Sequence, residues 1–395
     1  MMDRATLLRL SKAELLELAR ERAVGGRSGM TKAELVDALA ALEPAPPADL
    51  GRGLAIPGVS AADRSEARAR RSALYDRLAS FVDRGRTCGW VSLEGHPCGL
   101  PAVAGHEGCG LHGGGDIYDS AVPLAGELGF HTWPTLWRHL FLATYDVDPI
   151  GLDPIIAEMA WHLVNGLYFD YFRVEVEGIE NVPMDRPALL VANHGGAALP
   201  YDAAMLNLAV MNEAPLPRRV RVIGTEIFNM LPWVSHIYRK VGAAYATRED
   251  ARLLLERGHL LGVFPEGERG FMKPVWEAYR VQRFGRGGFV DLAEEAKAPI
   301  VPVAIVGSEE VHPAVMVSKR LARMVRFFLP EQRVEEIAVF LNPLPLPVRW
   351  HLRFLEPVEP RGDTDPLGML ERTEEVRRSI QTTLDTMLAG RRTAF

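Results

Sequence analysis

Three cysteines among 395 residues, all between Cys88 and Cys109, are too few and too clustered to frame a fold with disulfides. No run of about eighteen uncharged apolar residues occurs, so no transmembrane helix is expected. The first residues, MMDRATLLRLSKAELLEL, carry acids throughout and contain no apolar h-region, which excludes a secretion signal. Positive charge is in deficit: the formal net charge of −6 gives the chain as a whole no reason to bind nucleic acid. There is also no Gly-x-Ser-x-Gly, which removes the hydrolase reading that His112-Gly-Gly-Gly115 would otherwise invite. The expectation is a cytoplasmic protein, free to touch the inner face of a membrane from one side. Hydrophobic residues at 48% and charged residues at 24% are ordinary for a globular protein. The length suits one large catalytic domain with small modules attached.

Two helices are announced by Ser11-Lys-Ala-Glu14-Leu and Thr31-Lys-Ala-Glu34-Leu, each a capping box, separated by the breaker segment Val24–Met30. This helix–extension–helix over residues 1–43 resembles SAP-like domains and the N-terminal helical domain of the transcription terminator Rho. Those families often contact nucleic acid; a docking or solubilising module fits the pattern equally well. Residues 44–86 read as a Pro/Ala/Gly-rich linker (Ala45–Gly58) followed by a basic helix over 61–83. Its Arg64, Arg68, Arg70, Arg71 and Arg77 outnumber Asp63, Glu66 and Asp76. They suit a solvated face, or an anionic lipid or nucleic acid. From about Asp148 apolar strand-like runs alternate with helical segments, with strands expected at 173–177, 188–192, 219–224, 260–264, 299–306, 338–342 and 351–355. That order predicts an α/β domain over 120–395 with a mainly parallel sheet flanked by helices. Asp365–Leu388 reads as a closing amphipathic helix with Pro366 in its first turn.

Two blocks follow buried strand runs, where open α/β sheets place their ligands: Val191–Asp202 (VANHGGAALPYD) and Val263–Gly270 (VFPEGERG). A histidine such as His194 takes a proton from a hydroxyl near neutral pH. An arginine such as Arg269 grips a phosphate with its planar fork. Gly267 lets the backbone approach closely, and Glu266 either accepts from an acceptor hydroxyl or orders its loop. With these residues the chain resembles the glycerolipid acyltransferase superfamily, which includes the glycerol-3-phosphate and lysophosphatidate acyltransferases. The Ile300-Val-Pro302-Val303 run resembles that family's last block.

The resemblance implies an O-acyltransferase like the 1-acylglycerol-3-phosphate enzymes, with His194 as general base. The acyl donor would be acyl-CoA or acyl carrier protein, and the acceptor a phosphorylated alcohol or lysophospholipid. No catalytic cofactor is implied. The family separates its histidine and aspartate by four residues, whereas here the fifth residue after His194 is Leu199 and the first aspartate is Asp202. Either the Gly195–Ala198 insert bulges so that Asp202 reaches the histidine, or Asp202 only caps the next helix. Arg248 stands where the family's other phosphate-holding cation is expected, with Arg239 and Lys240 as runners-up. Membrane contact would come from Trp133, Trp137, Trp161, Phe169 or Leu231–Trp233, which suit a core equally.

Residues 87–115 read as a metal segment. Cys88, Cys98, Cys109 and His112 supply three thiolates and an imidazole, a complete tetrahedral shell for structural zinc. His96 and His106 are alternative ligands, and three free cysteines are the bland alternative. Two other functions stay open: a non-catalytic, nucleic-acid-associated adaptor, and an acyltransferase for a non-phosphate alcohol.

Overall fold

Both capping boxes of the N-terminal module form in the computed structural model. Ser11 N–H donates to Glu14 Oε2 at 2.7 Å and Glu14 N–H to Ser11 Oγ at 3.3 Å. Thr31 N–H donates to Glu34 Oε2 at 2.6 Å and Glu34 N–H to Thr31 Oγ1 at 3.3 Å. They open α1 (Lys12–Glu21) and α2 (Lys32–Ala41). Leu7, Leu15, Ala19, Leu35, Val36 and Leu39 make a small core of their own. The structure describes residues 7, 11–21, 27–41, 59–79, 82–87, 89, 101–103, 148–196, 199–215, 217–224, 237–285, 287–328, 337–340, 342–362, 365–391 and 393–394. They divide into two units, Met1–Leu54 and Ala55–Phe395.

The larger unit begins with α3 (Ala61–Ala79), opened by a third reciprocal cap between Ser60 and Asp63. The expected helix over 61–83 is shorter than foreseen, because Val82–Thr87 forms β1, antiparallel to β2 (Pro101–Val103). Nor is α3 part of a linker. Ala67 and Leu74 enter the main core, Arg70 pairs with Glu213 at 2.8 Å, and Arg71 pairs with Asp170 at 2.5 Å. Those arginines bind their own protein.

Then follow α4 (Pro154–Gly166), a π-helical turn over Leu167–Tyr171, β3 (Glu175–Glu177), β4 (Ala188–Ala192), α5 (Tyr201–Glu213), β5 (Val220–Gly224) and β6 (Ala244–Tyr245). Next come α6 (Arg248–Glu256), β7 (Leu260–Val263), the short α7 (Gly267–Phe271), α8 (Gly288–Ala296), β8 (Ile300–Val306) and α9 (Ser308–Val311). The chain continues through β9 (Ala314–Ser318), α10 (Lys319–Phe328), β10 (Ile337–Phe340), β11 (His351–Phe354) and α11 (Pro366–Gly390).

The main sheet has the order β3-β11-β8-β4-β7-β5-β6. Strands β8, β4, β7, β5 and β6 are parallel, while β11 runs antiparallel to β8 and parallel to β3. The expected strand at 338–342 lies elsewhere. As β10 it pairs antiparallel with β9 in a separate two-stranded sheet.

Every residue of β4 is buried, as a parallel strand covered on both faces requires. Its side chains alternate between two cores. Ala188, Leu190 and Ala192 pack with Trp161, Met205 and other residues of α4 and α5, and Leu189 and Val191 with Leu254, Val290 and Ile380 from α6, α8 and α11. Trp161 and Phe169 are core residues, which removes them from the list of membrane contacts. The other three proposed contacts lie outside the described residues. Strand β4 is followed by β5 on one side while β8 lies on its other side, so its carboxyl end is a switch point of the sheet.

Candidate active site

Leaving β4, the chain is tied to β8 by Asn193. Its Nδ2 donates to Ile305 O at 2.9 Å and its Oδ1 accepts from Ile305 N–H at 2.7 Å. His194 therefore leaves the sheet from a fixed point. Its Nδ1 lies 2.6 Å from Asp202 Oδ2, although Asp202 stands eight residues later. The insert turns through Gly196, whose φ of +126° excludes most side chains. Gly195 passes so close to Glu309 that a Cβ there would stand 2.3 Å from its Cγ.

Asp202 sits in the first turn of α5, fully buried, and its carboxylate also accepts from Gly195 N–H at 2.9 Å and Ala203 N–H at 2.8 Å. A carboxylate only accepts, so the histidine proton resides on Nδ1 and Nε2 carries the lone pair. No described residue hydrogen-bonds Nε2. The ring packs against Phe264 and Phe271, with centroids 4.7 and 4.9 Å away, and 15% of the side chain stays exposed.

Glu266 follows β7 and both of its oxygens are engaged. Oε1 accepts from His194 N–H at 2.8 Å, and Oε2 accepts from Gln282 N–H at 2.7 Å and Lys273 Nζ at 3.2 Å. Of its two expected roles, the geometry supplies the ordering of the loop. Lys273 Nζ also reaches Glu309 Oε1 at 2.8 Å, while Glu309 Oε2 accepts from Tyr279 N–H at 2.8 Å. Burial pushes the Glu309 carboxyl up to about 7, against the pull of the Lys273 ammonium. Burial works to lower Lys273, but the Glu309 and Glu266 carboxylates outweigh it and hold the amine above its ordinary value. A cleft walled by Gly195, Gly196, Phe271, Lys273, Glu309 and His312 opens beside this group.

A family model described as Acyltransferase matches residues 173–306, a span that holds both blocks. The uncharacterized protein Rv0502 of Mycobacterium tuberculosis is 41% identical over 267 residues, 65% of this chain and 74% of that protein. The chain belongs to the glycerolipid acyltransferase superfamily. The human DGAT1/2-independent enzyme synthesizing storage lipids is 30% identical over 129 residues, 33% of this chain and 38% of that protein. The crystal structure of the 1-acyl-sn-glycerophosphate acyltransferase PlsC from Thermotoga maritima superposes with a TM-score of 0.37 at 22% identity, covering 60% of this chain and 80% of that one.

The acyltransferase gathers some expected residues and not others. Gly267 opens α7 with φ +59°, and Arg269 in that helix is exposed, with no partner among the described residues. Arg248 is elsewhere. It follows the edge strand β6, separated from β4 by β7 and β5, and its guanidinium pairs with Asp291 at 2.5 Å and Glu295 at 2.7 Å. Those surface bridges join α6 to α8 and do not bring Arg248 to His194. Arg239 stacks over Tyr245 at 4.6 Å, and Lys240 lies buried 3.7 Å from Asp153. Cys88, Cys98, Cys109 and His112 lie outside the described residues. Among the described residues no three His, Cys, Asp or Glu side chains are grouped to hold a metal.

Three residues that wall the cleft were not among the expected site residues. Lys273 stands among apolar neighbours and Glu309 beside a second acid, Glu310, and nothing local says what either charge would pair with. His312 lies against Tyr201, ring centroids 5.7 Å apart, with Nδ1 3.0 Å from Asn342 O. Its one signal was a place six residues beyond a buried strand.

Proposed function

We propose that this acyltransferase moves a fatty acyl group from acyl-CoA or acyl carrier protein to the hydroxyl of a glycerophosphate or lysophospholipid. The observation that carries the reading is the 2.6 Å pair of His194 Nδ1 with the buried Asp202, which leaves Nε2 without a hydrogen-bond partner among the described residues. In the reaction, Nε2 takes the hydroxyl proton as that oxygen attacks the thioester carbonyl. The tetrahedral intermediate then collapses, the C–S bond breaks, and the imidazolium returns the proton to the departing thiolate. Asp202 holds the tautomer and stabilises the imidazolium. Arg269 meets the acceptor phosphate.

A lipid acceptor also suits the surface around the cleft. Leu199 in the His194–Asp202 loop is exposed, as are Val275 and Trp276 beyond α7, and Val275 lines the cleft itself. An exposed tryptophan beside aliphatic side chains suits contact with a membrane interface. Among the described residues, no helix is long and apolar enough to cross a membrane.

The pairing of Arg248 favours one second reading, acylation of a non-phosphate alcohol, because of the two arginines expected to hold phosphate only Arg269 is then without a partner among the described residues. The deciding experiment follows thioester consumption by the purified protein, with lysophosphatidate or a neutral monoacylglycerol as acceptor. Turnover that depends on lysophosphatidate supports the first reading. Turnover with the neutral alcohol alone supports the second, and no turnover with either rejects both.

A further inference from the structure

His194 sits at the end of β4, and β4 lies between β7 and β8 in the sheet. Each neighbour sends one carboxylate to the same place, Glu266 from the end of β7 and Glu309 from just beyond β8. The two are joined by Lys273 Nζ, at 3.2 Å from Glu266 Oε2 and 2.8 Å from Glu309 Oε1. All three side chains are at least nine-tenths buried. Burying three ionisable side chains together is costly, and a surface position would avoid the cost.

What the arrangement achieves is a bridge over the strand that bears the histidine. From Glu266 it reaches the His194 N–H at 2.8 Å. At the other end the Glu309 stem fills the space against Gly195, the next residue in the chain. Both Glu266 oxygens already accept hydrogen bonds from the protein, and its side chain has no exposed surface.

We propose that Lys273 and Glu309 are positioning residues, which act through Glu266 and Gly195 to fix the backbone at His194 and so the aim of its ring. The inference rests on His194 being the base, and the test separates the two ideas. Neither residue exchanges a proton with substrate in this scheme. They hold the frame in which Nε2 meets the acceptor oxygen, and misplacement of a reacting group by about 1 Å costs on the order of 10²-fold in rate.

The experiment uses the full chain with Glu309→Gln and Lys273→Met, assayed with palmitoyl-CoA and whichever acceptor the wild type uses. Each variant is also labelled with 13C-histidine, and the His194 ring resonance is assigned by its loss in His194→Ala. The expected result for Glu309→Gln is a 10- to 100-fold fall in kcat, with KM for palmitoyl-CoA within about twofold. The His194 resonance should shift or broaden while that of the remote His259 stays in place. Should Lys273→Met fail to fold, Glu309→Gln still carries the test, because its amide keeps the volume and one acceptor oxygen.

An unchanged kcat in folded Glu309→Gln overturns the proposal. So does a lowered unfolding midpoint with normal kcat and an unmoved His194 resonance, which would make the bridge structural only. A rise in KM at constant kcat also overturns it, by making these residues substrate ligands. If the wild type consumes no thioester, the proposed reaction fails, and the His194 resonance in the variants still decides the positioning role.

Discussion

At His194 the two ring nitrogens have different surroundings, and that difference sets what each substitution should do. His194→Asn removes the base and should lower kcat by about 10²–10⁴-fold. It should also cost some packing, because the ring lies between Phe264 and Phe271. Asp202→Asn keeps one acceptor oxygen, so it can hold Gly195 N–H or Ala203 N–H but not both, and it no longer stabilises the imidazolium. Its kcat should fall at least tenfold, with a smaller change in unfolding midpoint than in rate. An unchanged rate with a lower midpoint would leave Asp202 as a helix-terminal residue only. Arg269 is exposed, so Arg269→Ala should hardly alter the midpoint. A charge-assisted hydrogen bond to phosphate is worth about 1.5–3 kcal/mol, so the KM for lysophosphatidate should rise roughly 10- to 100-fold. A rise in KM for the thioester instead would assign Arg269 to the donor.

Among the elements, strands covered on both faces announced themselves best. The run Ala188–Ala192 became β4 with the same ends, since five consecutive apolar residues leave a parallel strand little alternative. Partners were another matter. The run beginning near Ala338 was a strand, but nothing in its composition says whether it joins the main sheet, and it pairs with β9 instead. Strand β9 itself went unforeseen; its apolar run, Ala314–Val317, is only four residues long, with Ala314 buried and Met316 exposed, and it leads straight into α10. The pairing of His194 with Asp202 was legible as one of two alternatives, because Gly195 and Gly196 permit a bulge without requiring one. The bridges of Arg248 were not legible, because its partners, Asp291 and Glu295, come from a helix more than forty residues away. One element is tested separately. Cys88, Cys98, Cys109 and His112 should bind one zinc ion per chain, measured by elemental analysis of protein purified without an affinity tag. Since four ligands close the shell, chelation should loosen residues 87–115 and leave acyl transfer running. Metal-free protein that resists proteolysis across that segment would overturn the site.

For the whole molecule, acid sensitivity should centre on Asp148 and Arg221, a buried pair 2.5 Å apart that joins the start of the sheet domain to β5. Burial alone would raise the Asp148 carboxyl. The Arg221 guanidinium and the backbone N–H groups of Leu152 and Gly151 outweigh that and hold it below the usual carboxylate value. A carboxyl lowered by folding contributes stability above its unfolded value, and that contribution is lost as pH falls through the folded value. Asp148→Asn strands the guanidinium and should cost about 3–5 kcal/mol at pH 7. The gap from wild type should narrow as the pH drops below about 4, as read from denaturant midpoints across pH. A constant gap would mean the carboxyl is not ionised in the folded protein.

The place of β11 between β3 and β8 also bears on how the chain assembles. Glu175 on β3 pairs with His351 on β11, 176 positions further along, and β3 has no other neighbour in the sheet. On the ribosome, the earliest strand of this sheet must wait unpaired until nearly all the others have been made. Such distant pairing carries a large loop-closure cost and slows folding. Meanwhile both edges of β3 stand open to other nascent chains, a period in which a holding chaperone would matter most.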